Sequence, residues 1–111
     1  MLNEWKAGID AHDPARVAAV FTEDAVFQGL HPYTVGRVGV LAYYDGQPHG
    51  LTVDYRIDEI RRPADEVVLG YGLADFTRPD GTVLSLRLGV ALTRAGESWL
   101  IAQYQVSSPP G

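Results

Sequence analysis

Leu51-Thr52-Val53-Asp54-Tyr55-Arg56-Ile57-Asp58-Glu59-Ile60 is the stretch that decides the fold class of this 111-residue chain. Leu51, Val53, Tyr55 and Ile57 recur at every second position, with Thr52, Asp54, Arg56 and Asp58 between them. That period sets an apolar face and a polar face on one extended strand. The phase then slips, so that Glu59 falls on the apolar side and Ile60 on the polar side. One extra residue near Asp58, a β-bulge, accounts for the slip, and a bulge bends the strand that carries it.

Downstream the same period continues to the end of the chain. Pro63-Ala64-Asp65 reads as a turn, followed by a strand over residues 66–77. Arg78-Pro79-Asp80-Gly81 is a hairpin turn, with glycine where the backbone needs positive φ. Its three-residue tip, Pro79-Asp80-Gly81, pairs Gly72 with Leu88. A strand over residues 83–93, a turn at Ala95-Gly96 and a strand over residues 99–107 complete the series. The Ser107-Ser108-Pro109-Pro110-Gly111 ending cannot extend a sheet. One domain over residues 1–108 with a frayed tail at 109–111 is the expected organisation.

Upstream the spacing becomes helical. Leu2, Trp5, Ile9 and His12 share one face of a short first helix. Asp13-Pro14 starts a second, Asp as N-cap and Pro as first residue, with Val17, Val20 and Phe21 as its buried stripe. Thr22-Glu23-Asp24 ends it, and residues 25–27 form a short strand before a loop from Gly29 to Gly36. A third helix over residues 37–44 buries Val40, Leu41 and Tyr44. The sum is an α+β fold, with helices on one face of an antiparallel sheet.

The strand over 66–77 is apolar on both faces: Val67, Leu69, Tyr71 and Leu73 on one, Val68, Gly70, Gly72, Ala74 and Phe76 on the other. Leu84, Leu86, Leu88, Val90 and Leu92 likewise form a row too apolar for water. Helices cover one face; a second copy of the chain covers the other most economically. A homodimer through the convex sheet face is therefore expected.

Composition excludes several classes. Hydrophobic residues make up 46% and the net charge is -5, without a Lys/Arg run that could follow a phosphate backbone, so no nucleic acid is expected as a partner. No apolar run approaches a membrane span, so no membrane partner is expected either. The absence of cysteine excludes thiol nucleophiles, disulfides and thiolate metal sites. With an amphipathic Met1-Leu2-Asn3-Glu4-Trp5-Lys6 opening that is unlike a signal peptide, it fits a cytoplasmic location. Neither a phosphate-cradling glycine loop nor a serine-nucleophile elbow is present.

Three stretches resemble the SnoaL-like, nuclear-transport-factor-two-like (NTF2-like) superfamily. They are a Trp in the first helix; Asp10-Ala11-His12-Asp13-Pro14-Ala15-Arg16-Val17 followed by Phe21-Thr22-Glu23-Asp24-Ala25; and Trp99-Leu100-Ile101-Ala102-Gln103-Tyr104-Gln105-Val106-Ser107. Gln105 matches the SgcJ/EcaC-type subgroup. The resemblance implies a cone-shaped fold, a strongly curved, mostly antiparallel sheet wrapped around three N-terminal helices, and usually a dimer. Its members include isomerases, polyketide cyclases, epoxide hydrolases and non-catalytic binding domains, so function has to be argued from the site.

Steroid isomerases of that superfamily need a carboxylate base and two donors for an enolate oxygen. By the resemblance, one donor falls on Trp5, the base near Gly29 beside Gln28, and the second donor near Leu88. None of these supplies the required group. His31, just after the first strand, is the remaining acid/base candidate; its plainer reading is a loop histidine in water. His12, His31 and His49 match no metal-ligand spacing, so no metal or other cofactor is expected. Gln103 and Gln105 share strand parity with Trp99 and Ile101, which would aim both amides into the pocket. There they would orient a ligand or bond to helix backbone or Tyr44. Arg87 follows turn parity: an odd turn at Ala95-Gly96 would bring it into the pocket as an anion anchor, and the favoured even turn leaves it on the convex side. Tyr33, Tyr43, Tyr44 and Tyr55 read as packing residues.

The expected function is binding of a small apolar, aromatic or polyketide-like molecule in a pocket lined by Trp5, Phe27, Gln28, Tyr44, Gln103 and Gln105. The alternatives are a cofactor-independent isomerase or cyclase using His31, and a dimeric interaction module whose pocket is vestigial.

Overall fold

The computed structural model describes residues 2–109, so the expectation of fraying at 110 and 111 lies outside the described residues. The element order is α1 (Leu2–Asp10), α2 (Pro14–Ala18), β1 (Phe21–Gln28), β2 (Tyr33–Val35), α3 (Arg37–Asp45), β3 (Thr52–Ala64), β4 (Val67–Thr77), β5 (Val83–Ala95) and β6 (Ser98–Ser107). The six strands form one open sheet in the order β2-β1-β6-β5-β4-β3. Its pairs are antiparallel except β1 with β6. The fold is α+β, a curved sheet around helices, as the strand period and the resemblance imply.

α1 buries Trp5 and Ile9 at the i, i+4 spacing of a helix face. It stops before His12, which takes a left-handed φ of 48°. The Asp13 amide returns to the Gly8 carbonyl at 2.8 Å, closing the last turn. His12 therefore lies past the helix and does not extend its stripe. The Asp13 side chain accepts from the Arg16 amide at 3.2 Å, and Pro14 opens α2.

α2 is shorter than its apolar stripe suggested. It ends at Ala18, and Phe21 to Asp24 belong to β1. The cause is the last strand: the Ile101 amide donates to the Val20 carbonyl at 2.8 Å, and Phe21 pairs with Ile101. Sheet pairing satisfies the backbone there while Phe21 remains fully buried. β2, expected as loop, pairs with β1 through Val26–Val35, Phe27–Thr34 and Gln28–Tyr33. α3 buries Val40 and Tyr44, but Leu41 is 41% exposed. One residue around the helix from Val40 is about 100°, which turns Leu41 off the core face.

The bulge expected near Asp58 is present: Ile57 pairs with Gly72, and the next pair is Glu59 with Tyr71. Gly72 sits where β3 bends onto β4, and a Cβ there would lie 1.9 Å from the Arg56 carbonyl oxygen. β3 runs on through Pro63, where the sequence predicts a turn. Proline is tolerated because β3 is an edge strand whose ladder is broken between Arg61 and Ala64. On the free side of β3, α1 stands in for a neighbouring strand. Lys6 Nζ donates to the Val53 carbonyl at 2.6 Å, and Asp10 Oδ1 accepts from the Val53 amide at 3.0 Å.

Trp5 anchors the helices to the concave face. It meets Tyr55, Phe76 and Tyr104 at ring-centroid distances of 6.1, 6.2 and 5.8 Å. Val53, Ala74, Leu86, Leu88, Val90 and Ile101 complete the buried core on that side. Among the described residues no helix is long and apolar enough to cross a membrane.

Candidate functional site

Concavities lie on both faces of the sheet. The first, of about 290 Å³, opens on the concave side between the β1–β2 loop, α3 and the ends of β4, β5 and β6. Its walls are Leu30, Tyr43, Tyr44, Leu51, Phe76, Leu84, Tyr104 and Val106, with His31, Pro32, Gln47 and Arg78 around them. No carboxylate lines it.

Sheet pairing and helix phase bring its tyrosines together. Tyr44 lies one turn beyond Val40 on the buried face of α3, and Tyr104 alternates with Val106 on β6. Trp5 Nε1 donates to the Tyr44 hydroxyl at 3.2 Å. Burial pushes the Tyr44 and Tyr104 phenols well above their ordinary pKa, so both are neutral. Tyr43, partly buried, is raised by desolvation as well. Phe27 stacks on Tyr104 with centroids 4.6 Å apart and planes within 6°, and it tilts against Tyr43 at 5.0 Å. The resulting wall is aromatic, carries neutral hydroxyls, and can pack a flat apolar molecule while hydrogen-bonding one polar group on it.

The residues expected in the pocket separate into three groups. Tyr44 and His31 line the cavity, His31 as an exposed residue of the β1–β2 loop. Trp5 and Phe27 are fully buried behind the wall, holding Tyr44 and Tyr104 in place. Gln28, Gln103 and Gln105 do not point into the interior. Gln28 Nε2 is bound to the carbonyls of Gly29 and Pro32, at 2.9 and 3.0 Å, within its own loop. Gln103 and Gln105 pair with Ala91 and Gly89 on the outer face.

The reason is a second bulge. The turn between β5 and β6 is even, with Ala95 paired to Ser98 across Gly96-Glu97. The register then shifts after Leu92–Ile101, leaving Ala102 unpaired. Beyond it Tyr104 and Val106 face the core and the glutamines face out. Arg87 pairs with Ser107 on the outer face, as turn parity implied. Sequence reading missed Tyr43 and Tyr104 as cavity residues; Tyr104 would have emerged had the bulge been visible.

The isomerase-type positions are occupied as follows. The Trp5 N–H is taken by Tyr44, the Gly29 amide by the Pro32 carbonyl at 2.9 Å, and Leu88 is fully buried. The His12 and His49 rings lie 3.7 Å apart, away from the cavity walls that His31 joins. Among the described residues no three His, Cys, Asp or Glu side chains gather as a metal site.

The second concavity, of about 390 Å³, lies on the outer face. Leu69, Tyr71, Gly89, Ala91, Gln103 and Gln105 line it, with Glu59 and Arg61 at one side.

No protein-family model matches the sequence, and no curated protein matches it. Solved structures do. A protein described as a calcium/calmodulin dependent protein kinase II association domain, from Xanthomonas campestris, superposes with a TM-score of 0.84 at 18% identity, covering 98% of this chain and 83% of that one. An NTF-2 like protein of unknown function from Shewanella oneidensis gives 0.81 at 14% identity, over 96% of this chain and 93% of that one. A ketosteroid isomerase-like protein from Erwinia carotovora atroseptica gives 0.77 at 19% identity, over 99% and 92%. With the strand order, the helix-lined concave face and these superpositions together, the chain has the NTF2-like α+β cone fold.

Proposed function

We propose that the chain binds a small, flat, largely apolar molecule in the concave cavity, without a cofactor. The carrying observation is a cavity of about 290 Å³ walled by aromatic rings, with the buried, neutral hydroxyls of Tyr44 and Tyr104 and no carboxylate. Such a wall favours a polycyclic or polyketide-like aromatic with one carbonyl or hydroxyl group. The resemblance of Trp99 to Ser107 to the SgcJ/EcaC-type subgroup supports that ligand class, and the absence of cysteine fits a cytoplasmic setting.

The test is melting-temperature shift across a panel of hydroxylated polycyclic aromatics. Leu84→Trp, which fills the cavity from one wall, should abolish every shift, and Tyr104→Phe should weaken the best compound by about tenfold, the scale of one buried hydrogen bond. Shifts unchanged in Leu84→Trp would place binding elsewhere and sink the reading. The enzymatic alternative keeps its one candidate, His31 at the cavity wall. Conversion of a bound compound that is lost in His31→Ala would favour an isomerase or cyclase; conversion unchanged in that variant would remove it.

A second reading, a homodimer through the outer sheet face, is favoured by the apolar side chains that this face leaves in water. Leu69 is 41% exposed, Tyr71 46% and Val35 53%. Leu69 and Tyr71 line the outer concavity together with Gln103 and Gln105, so those amides belong with this interface. Sedimentation equilibrium should show a dimer, and Tyr71→Asp should raise its dissociation constant by about thirtyfold or more, as loss of a central aromatic anchor does. A monomer at all concentrations would overturn this reading.

A further inference from the structure

The concave face is longer than its helical cover. Along β5 the inward row of Leu86, Leu88 and Val90 is buried, but the same row continues through Leu92, half-buried, to Arg94, exposed. Arg94 pairs with Trp99, and Leu92 pairs with Val68 and Ile101, so the uncovered end of the face brings β4, β5 and β6 together. Arg62 of β3 completes it: its guanidinium carbon lies 5.5 Å from the centroid of the Trp99 ring. The cleft so formed, of about 530 Å³, is lined by Arg62, Val68, Leu92, Arg94, Ser98 and Trp99. It lies about 30 Å along β5 from Leu84, at the other end of the strand from the tyrosine cavity.

Both arginines are held in place yet unsatisfied. Arg62 Nη2 donates to the Asp65 carbonyl at 2.9 Å, and Arg94 Nε donates to the Gly96 carbonyl at 3.1 Å. A guanidinium has five N–H donors, and among the described residues each of these two uses one on a protein acceptor. Neither has a carboxylate within 4.0 Å among the described residues, whereas Lys6, Arg16, Arg56 and Arg61 are all ion-paired. Arg37, Arg78 and Arg87 likewise have no ion pair among the described residues, but the tyrosine cavity carries one such guanidinium, Arg78, where this cleft carries two. The cation–π contact of Arg62 with the Trp99 ring leaves guanidinium N–H groups free for hydrogen bonding to a carboxylate. The apolar floor of Val68 and Leu92 beside the half-buried Trp99 suits the body of a flat molecule.

We infer that this cleft is a second binding site, separate from the tyrosine cavity, for a small aromatic carboxylate. The carboxylate takes the free edges of Arg62 and Arg94, and the ring lies on Val68, Leu92 and the Trp99 edge. Charge-assisted, bidentate pairing gives the orientation, and the apolar floor excludes simple anions from binding equally well.

The experiment is titration of the chain with 2-naphthoate, 2-naphthamide and inorganic phosphate, followed by the indole N–H signals of Trp5 and Trp99 in NMR. Naphthoate should shift the Trp99 signal saturably, weaken with added salt, and outcompete phosphate. Arg62→Gln and Arg94→Gln should each weaken it by about tenfold or more, the scale of a lost charged hydrogen bond. Equal binding of the amide would overturn carboxylate recognition. Equal binding of phosphate would overturn the aromatic part, and no saturation below about 10 mM would overturn the site itself. A response at Trp5 alone would assign the ligand to the tyrosine cavity, overturning this inference while leaving that cavity's role intact.

Discussion

Gly72→Ala should cost about 3–5 kcal/mol of folding stability, a large fraction of the roughly 5–15 kcal/mol that a domain of this size has. The added Cβ would lie 1.9 Å from the Arg56 carbonyl oxygen and 2.9 Å from the Ile57 Cα, both backbone atoms that cannot rotate away. Relief requires β3 to move off β4 at the Ile57–Gly72 pair, which is where the bulge starts. Ordinary overpacking costs about 1–3 kcal/mol because side chains yield; here a strand must yield. Gly70→Ala is the control. Its Cβ would meet side chains alone, the Val90 Cγ2 at 3.2 Å and the Ile57 Cγ2 at 3.9 Å, and should cost about 1 kcal/mol or less. Urea unfolding measures both. A midpoint for Gly72→Ala within error of Gly70→Ala would mean that the bend does not depend on the missing side chain.

Trp5→Ala should cost a further class of energy, about 3–5 kcal/mol, by emptying the centre of the core. Trp5 is fully buried among Tyr55, Phe76 and Tyr104, and its N–H holds the Tyr44 hydroxyl. At about 4 °C or more per kcal/mol, the melting temperature should fall by at least about 12 °C. Trp5→Phe separates the two contributions, keeping a ring but removing the donor, and should cost about 1–2 kcal/mol. Tyr44 supplies an independent readout. Its folded pKa is raised by burial, so the folded state keeps a proton that the unfolded chain releases above about pH 10. That contribution is fully present below about pH 10 and is lost as pH rises beyond it. In Trp5→Ala water reaches the phenol, and its absorbance titration should move toward lower pH. A Trp5→Ala protein as stable as Trp5→Phe would contradict the central place given to the indole.

The two bulges show what an alternating pattern can and cannot reveal. At Asp58 the flanking residues contrast sharply, Asp58-Glu59 against Ile57 and Ile60, so the slip of one residue is visible. At Ala102 the neighbours Leu100, Ile101 and Ala102 are all apolar, and a slip among them leaves no mark. Strand parity alone reverses the faces of Gln103, Tyr104 and Gln105 for that reason, while Arg87, on the unbulged β5, takes the side that the even turn dictates. Phe21 misled differently. Its burial fits both a helix stripe and a strand start, and only pairing with Ile101, some 80 residues away, decides between them. β2 has three residues, too few to show any period. Thus the cone and its curvature were legible, but the lining of the cavity was not, because that depended on one hidden register shift.

The Lys6 and Asp10 bonds to Val53 carry a meaning beyond holding α1 in place. β3 is thirteen residues long and lies at the rim of the sheet, which makes it the natural template for a foreign strand. At Val53 that template is already occupied, amide and carbonyl alike, by two side chains that no partner strand can displace without stripping their ion pair. Farther along, the bulge and the charges of Arg56, Asp58, Glu59, Arg61 and Arg62 spoil the flat, neutral edge on which amyloid-like stacking grows. The short first helix is thus also a guard against aggregation, protecting the chain from its own copies at the rim.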